Sequence, residues 1–279
     1  MIFFARSVFL AIFDLKIIYG MMNSVRVEKG CLKTVAAIGV LFLTGCASGY
    51  SLKSVEGGRV AMTDVYDSRP DREAVAVLQP YKHIVDSIMS PVIGHSAMAM
   101  AAYRPESPLS NLLADIIRQG AVRVMGKAAD VGVMNMGGIR NSLPEGEITF
   151  GTVYEITPFE NALCVVTLDG AALKKLFSQM ASVGGEGLSG ARLVITPQGG
   201  LVSAEVGGKP VDEHRTYTVA TIDYLAEGND KLDAFREAKS KVFPSVPLLL
   251  RTVFMDYVKD CERKGKFVTS GTEGRIRVE

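Results

Sequence analysis

The sequence predicts a single α+β (mixed α/β) domain of mixed sheets packed with helices, preceded by a leader and a tether. Three observations predict it. Apolar residues at helical spacing alternate along the 279-residue chain with short apolar runs of strand length. Two of those runs, 192–195 and 201–206, flank Gly199-Gly200 as a hairpin does, so the sheets are not purely parallel. No internal repeat is found.

Residues 1–45 read as export machinery. Arg26, Lys29 and Lys33 form a basic region, and 34–43 is an apolar run too short to cross a bilayer. Leu43-Thr44-Gly45-Cys46 then resembles a bacterial lipobox, with Cys46 the residue cleaved before and acylated. The alternative, an apolar N-terminal helix with a buried cysteine, lacks a polar second face. Residues 1–20 carry Arg6, Asp14 and Lys16 inside an apolar stretch, which suits neither a signal peptide nor a spanning helix. Two readings stand: translation starts at Met21 or Met22, or the leader is extended.

Removing residues 1–45 takes away five basic and two acidic side chains and turns the formal net charge from +1 to −2. Nucleic-acid binders carry clustered basic charge, so that partner class is not expected. Beyond Cys46 only Cys164 and Cys261 remain. They can pair in an oxidising compartment, but Cys164 sits in the apolar run 162–166 and reads as a buried free thiol.

Residues 46–69 are polar and read as the tether, and 70–279 as the domain. Pro70 opens a helix whose face is Val75, Leu78, Tyr81, Ile84, Val85 and Ile88, with a kink expected at Pro80. Ser107-Pro108 starts a second helix, with Leu109, Leu112, Leu113, Ile116, Ile117 and Val124 on its apolar face. A short strand over 130–135 delivers Asn135 to the Gly137-Gly138 turn. Residues 162–168 form another, and Asp169 caps a helix facing inward through Leu173, Leu176, Phe177 and Met180. The glycine-rich run 184–190 reads as flexible. Residues 217–222 are a strand, and 246–261 a closing helix with Gly265 beyond it.

Three segments carry most of the functional information. They are Glu106-Ser107-Pro108-Leu109-Ser110-Asn111-Leu112-Leu113-Ala114-Asp115, the stretch 135–161 beginning Asn135-Met136-Gly137-Gly138-Ile139-Arg140 and ending Pro158-Phe159-Glu160-Asn161, and 218–230. Together and in this order they resemble the C-terminal, substrate-specificity domain of the secreted 5'-nucleotidase/UDP-sugar hydrolase family. The resemblance begins near Val92 and runs almost to the C-terminus. One departure concerns Gly228-Asn229-Asp230, where the family has two glycines before the acidic residue. Asn tolerates a left-handed backbone, so the turn is expected to survive with Asn229 in that conformation.

The resemblance implies a ligand class, nucleotides, and a set of contacts. Asn135 and Arg140 match substrate-contacting residues. Arg suits the role because it can offer two parallel charge-assisted hydrogen bonds; a surface pair with Glu145 or Glu147 is the alternative. Phe159 and Tyr224 match the two aromatics that sandwich the base, Tyr224 standing where the family usually has Phe. Stacking reads no base edge and suits a promiscuous site. From the residues alone, Phe159 reads equally as a core aromatic and Asp230 as a turn former. By resemblance Asp230 holds the ribose hydroxyls, Asn161 belongs to the same substrate site, and Arg104 lies near a further basic position.

Gly94-His95-Ser96-Ala97-Met98 looks like a nucleophile elbow without its last glycine, but lies in an apolar run and is read as structural. The family's hydrolysis resembles two-metal phosphoester chemistry, which needs clustered His, Asp and Asn ligands. His83, His95 and His214 are widely spaced and in neither of the family's ligand motifs. No cofactor is therefore expected on this chain, and divalent metals are expected on a separately encoded metallophosphatase partner. The expected function is the nucleotide-binding subunit of a split 5'-nucleotidase, lipid-anchored in the bacterial envelope and facing the periplasm. The alternatives are a stand-alone nucleotide- or nucleoside-binding lipoprotein, and a scaffold that lost its ligand.

Overall fold

The structure, a computed structural model, describes residues 52–279. The leader, Cys46 and the first tether residues lie outside them. The chain divides at Ser68 into two units. In the first, residues 52–68 are exposed throughout and contain one 3-10 turn, Asp64–Tyr66.

The second unit begins at Arg69. Its first helix, α1 (Arg72–Met89), is started by Asp71, whose carboxylate accepts from the amides of Glu73 and Ala74 at 2.9 and 3.0 Å. Pro80 lies inside the helix. The apolar positions that predict α1 all stay exposed, and only Met89 at its end is part-buried. Periodicity thus finds the helix, but no described element covers its face.

Then follow β1 (Val92–Ser96), α2 (Pro108–Gly120), α3 (Val122–Met125), β2 (Val131–Met134), β3 (Gly146–Thr149), α4 (Phe150–Ile156), β4 (Leu163–Asp169) and α5 (Gly170–Ser182). The chain continues through β5 (Gly187–Ser189), β6 (Ala191–Ile195), β7 (Leu201–Val206), β8 (Lys209–Pro210), β9 (Thr216–Ile222), α6 (Asp223–Ala226), β10 (Ser240–Val242), α7 (Leu250–Arg263) and β11 (Ile276–Val278). Three sheets result, ordered β1-β3, β10-β4-β9-β2-β5 and β11-β6-β7-β8. Parallel and antiparallel pairs mix within the larger two, so the α+β class read from sequence is the observed one.

The local signals behave as their chemistry requires. Asp169 accepts from Ala172 N at 2.9 Å and starts α5. Ser107 N donates to Ser110 Oγ at 3.2 Å at the start of α2. α2 packs over β2, β5 and β9, while α5 packs over β4 and β9. Phe177 of α5, Phe254 of α7 and Leu113 and Ile117 of α2 are fully buried, each contributing about 1.5–3 kcal/mol.

Two expectations change. The closing helix starts at Leu250 rather than 246. Pro247 lacks a backbone donor, and Leu248 O instead accepts from Leu163 N at 2.8 Å while Leu249 forms an isolated bridge with Ala162, so this stretch stays extended before the helix. The run 184–190 is not a flexible loop. Gly187–Ser189 is β5, wholly buried and antiparallel to β2. A Cβ at Gly187 would lie 2.9 Å from Ser110 O and 3.0 Å from Met134 O, so glycine here permits close packing rather than motion.

The motif at 106–115 is structural. Buried Glu106 accepts from Asn111 Nδ2 and Glu273 N, both at 2.7 Å, and from Arg275 N at 2.8 Å. The Arg275 guanidinium pairs with both oxygens of Asp115, at 2.8 and 2.9 Å. Asn111 also donates to Gly271 O at 2.9 Å. The polar side chains of this motif therefore tie down the C-terminal segment.

Candidate functional site

Strand polarity decides where the site lies. β2 and β9 are parallel, so Asn135, which follows β2, and Tyr224, which follows β9, emerge at one edge of the sheet. β4 runs antiparallel to β9 and β5 antiparallel to β2, so the residues entering those strands, Phe159 and Asn161 before β4 and Glu186 before β5, arrive at the same edge. Four neighbouring strands deliver four separate segments to one place, outside the carboxyl ends of the parallel pair.

A cleft of about 250 Å³ opens there, lined by Asn135, Gly137, Gly138, Phe159, Asn161, Tyr224 and Asp230. A larger depression of about 620 Å³ lies between α2 and α7, but it is walled by paired charges such as Arg123–Asp256 and contains none of the expected site residues. The smaller cleft is the candidate because it gathers five of the expected site residues, Asn135, Phe159, Asn161, Tyr224 and Asp230.

Asp230 is its centre. One carboxylate oxygen accepts from Asn135 Nδ2 at 2.6 Å and the other from Tyr224 Oη at 2.8 Å. An ionised carboxylate offers roughly four acceptor positions, so capacity remains for further hydroxyl donors. The bond to Asp230 also raises the Tyr224 phenol above its ordinary pKa, because losing the proton would set two negative oxygens together. Asn135 is 4% exposed and its Oδ1 has no partner among the described residues. Gly138 leaves room beside it: a Cβ there would fall 2.7 Å from that oxygen.

Asp230 and Lys231 hold φ of 54° and 65°, and Gly228 holds 81°. The left-handed residues thus bracket Asn229, which does not adopt that conformation as expected. Asn229 instead donates through Nδ2 to Tyr224 O at 2.8 Å, closing the loop with its side chain.

Phe159 and Tyr224 are 47% and 41% exposed. Phe159 is therefore not a core aromatic. Arg140 lies just outside the cleft, where its Nη1 donates to Gly137 O at 3.2 Å, and it pairs with neither Glu145 nor Glu147. Arg104 does not line the cleft. It donates from Nε to Gly185 O at 2.8 Å and from Nη2 to Glu186 at 2.5 Å.

Glu186 is the residue that sequence reasoning missed. It is 3% exposed, and its second oxygen accepts from Met136 N at 2.5 Å, holding the turn that follows Asn135. Burial pushes its carboxyl above the ordinary value, against the opposing pull of the Met136 amide and Arg104. The available signal was an acid alone inside a glycine-rich run.

Ser96 of the elbow-like segment is buried and donates to Met98 O at 2.8 Å, while His95 turns to Glu262 at 3.1 Å. Cys164 and Cys261 are both free, and burial pushes the Cys164 thiol up to about 12.

The model of the 5'-nucleotidase C-terminal domain matches residues 92–237, just over half of the chain. The chain belongs to this family. Among its relatives, an endonuclease, YhcR of Bacillus subtilis, is 30% identical over 179 residues, covering 61% of this chain and 14% of that protein. The cell wall protein Lmo0130 of Listeria monocytogenes is 27% identical over 235 residues, 74% of this chain and 29% of that protein. Among solved structures, the 5'-nucleotidase precursor of Thermus thermophilus is 31% identical with a TM-score of 0.65, over 74% of this chain and 43% of that one. The chain spans less than half the length of each of these relatives, and the family match includes every residue of the cleft.

Proposed function

We propose that this chain is the nucleotide-binding, substrate-specificity subunit of a split 5'-nucleotidase, acting with a separately encoded metallophosphatase. The observation that carries the reading is the pairing of two exposed ring faces with a braced carboxylate in one cleft. Phe159 and Tyr224 take the base between them. Asp230 accepts from the ribose hydroxyls, and Asn135 and Asn161 complete the wall. Arg140, at the rim and without an anionic partner among the described residues, meets the phosphate. Arg104 acts one step back, through Glu186.

Nucleotides as the ligand class follow from the family and from the 5'-nucleotidase named in the solved relative. Among the described residues no three His, Cys, Asp or Glu side chains cluster as a metal site requires, and on this reading the divalent metals and the hydrolytic step belong to the partner. The extracytoplasmic location draws on the basic and apolar leader and on the cell wall relative. Lipid attachment at Cys46 draws on the lipobox-like segment; Cys46→Ser should shift the protein from membrane to soluble fraction, and a mature protein with unmodified Cys46 would overturn this part.

The test is isothermal titration with AMP, adenosine and a UDP-sugar, followed by activity assays. The chain alone, with Mn²⁺, Zn²⁺ or Mg²⁺, should turn over none of them. Adding the metallophosphatase should lower that partner's KM, since this chain supplies positioning rather than chemistry. Arg140→Ala should remove the enhancement and leave the partner's basal rate. Metal-dependent turnover by the purified chain would refute the split assignment. Tight nucleoside binding with no effect on the partner would favour a stand-alone binding protein.

A further inference from the structure

Arg251, the second residue of α7, is 9% exposed. Arginine is rarely buried without a carboxylate partner, because the charge then lacks compensation for its lost water. Among the described residues its charge is met otherwise. Nη1 donates to Pro158 O at 3.1 Å, and the guanidinium carbon stands 4.3 Å above the centroid of the Tyr154 ring. Both partners bracket the approach to Phe159: Tyr154 lies in α4, and Pro158 immediately precedes Phe159. On the far side Leu250 N donates to Asn161 O at 2.9 Å. The start of α7 therefore grips the arm at both ends, while the half-exposed Phe159 ring depends on its backbone for its place. A planar guanidinium can lie flat on a ring and donate in its own plane at once, which an ammonium cannot do.

We propose that Arg251 is a positioning residue that sets the Phe159 arm of the cleft. Its effect on ligand rests on the reading of Phe159 as a stacking ring. Arg251 does not line the cleft, so it acts only through that arm.

The test combines two measurements on the full chain. Phenylalanine ring-labelled NMR of the ligand-free protein should show the Phe159 signal displaced and narrowed by motion in Arg251→Met, while those of buried Phe177, Phe235 and Phe254 stay. Adenosine titration into wild type, Arg251→Met, Phe159→Ala and the double variant should show Arg251→Met weakening binding about tenfold. The double variant should bind no more weakly than Phe159→Ala. Arg251→Lys should recover only part of the loss. An unmoved Phe159 signal, or a loss that simply adds to that of Phe159→Ala, would overturn the proposal. If wild type binds no adenosine, the ligand assignment fails, and the Phe159 signal alone decides the role of Arg251.

Discussion

Replacing Phe159 or Tyr224 by alanine is expected to weaken adenosine binding by about 1–3 kcal/mol, roughly 5- to 150-fold in Kd. Each ring is about half exposed and lines the cleft rather than the core, so thermal unfolding should be nearly unchanged. Tyr224→Phe separates the two contributions of that residue. It keeps the ring face and removes the donor to Asp230, so its cost should be about 1 kcal/mol or less. Isothermal titration of the three variants, with melting curves beside it, checks the scheme. Alanine variants that bind like wild type, or that unfold, would remove the stacking pair from the site. A phenylalanine variant as weak as the alanine one would shift the role of Tyr224 from its face to its hydroxyl.

Glu106→Ala should produce the largest loss of stability, about 3 kcal/mol or more. The carboxylate is 7% exposed and takes the backbone N–H groups of Glu273 and Arg275 together with the Asn111 amide. Removing it strands those donors beside the core. The C-terminal segment that leads into β11 would be released, and the Asp115–Arg275 pair would lose its anchor next door. Glu106→Gln restores acceptor capacity but must turn an NH₂ towards a donor, so it should recover part of the loss. Exposed Glu145→Ala is the control and should stay within about 0.5 kcal/mol of wild type. Urea unfolding reads all three. A Glu106→Ala protein as stable as that control would show that the segment holds itself.

Much of the fold was legible because its signals are local. Asp169 starts a helix by accepting from the amide three residues on, the Ser107 amide before Pro108 is satisfied by Ser110 Oγ, and the hairpin around Gly199-Gly200 needs only a turn between two β-rich runs. What was misread depends on contacts distant in sequence. β5 looked like a loop because glycine usually means freedom; here α2 and β2 press against it from both sides. The sequence places the start of α7 early because the contact of 248–249 with 162–163 cannot be seen locally. α1 shows the reverse case, a helix correctly read whose apolar face stays exposed.

The same division runs through the site. The sequence by itself determined the family and the residue types, because motifs such as Asn135-Met136-Gly137-Gly138-Ile139-Arg140 keep their chemistry in linear order. Only the tertiary structure decided that Asn135 and Asp230 share a hydrogen bond across the cleft, that Arg140 stands at its rim while Arg104 stands behind it, and that Glu186 underpins the turn. The physical reason is strand direction. Which ends of β2, β4, β5 and β9 meet is set by their parallel and antiparallel pairing over the whole sheet, and no single segment encodes that choice.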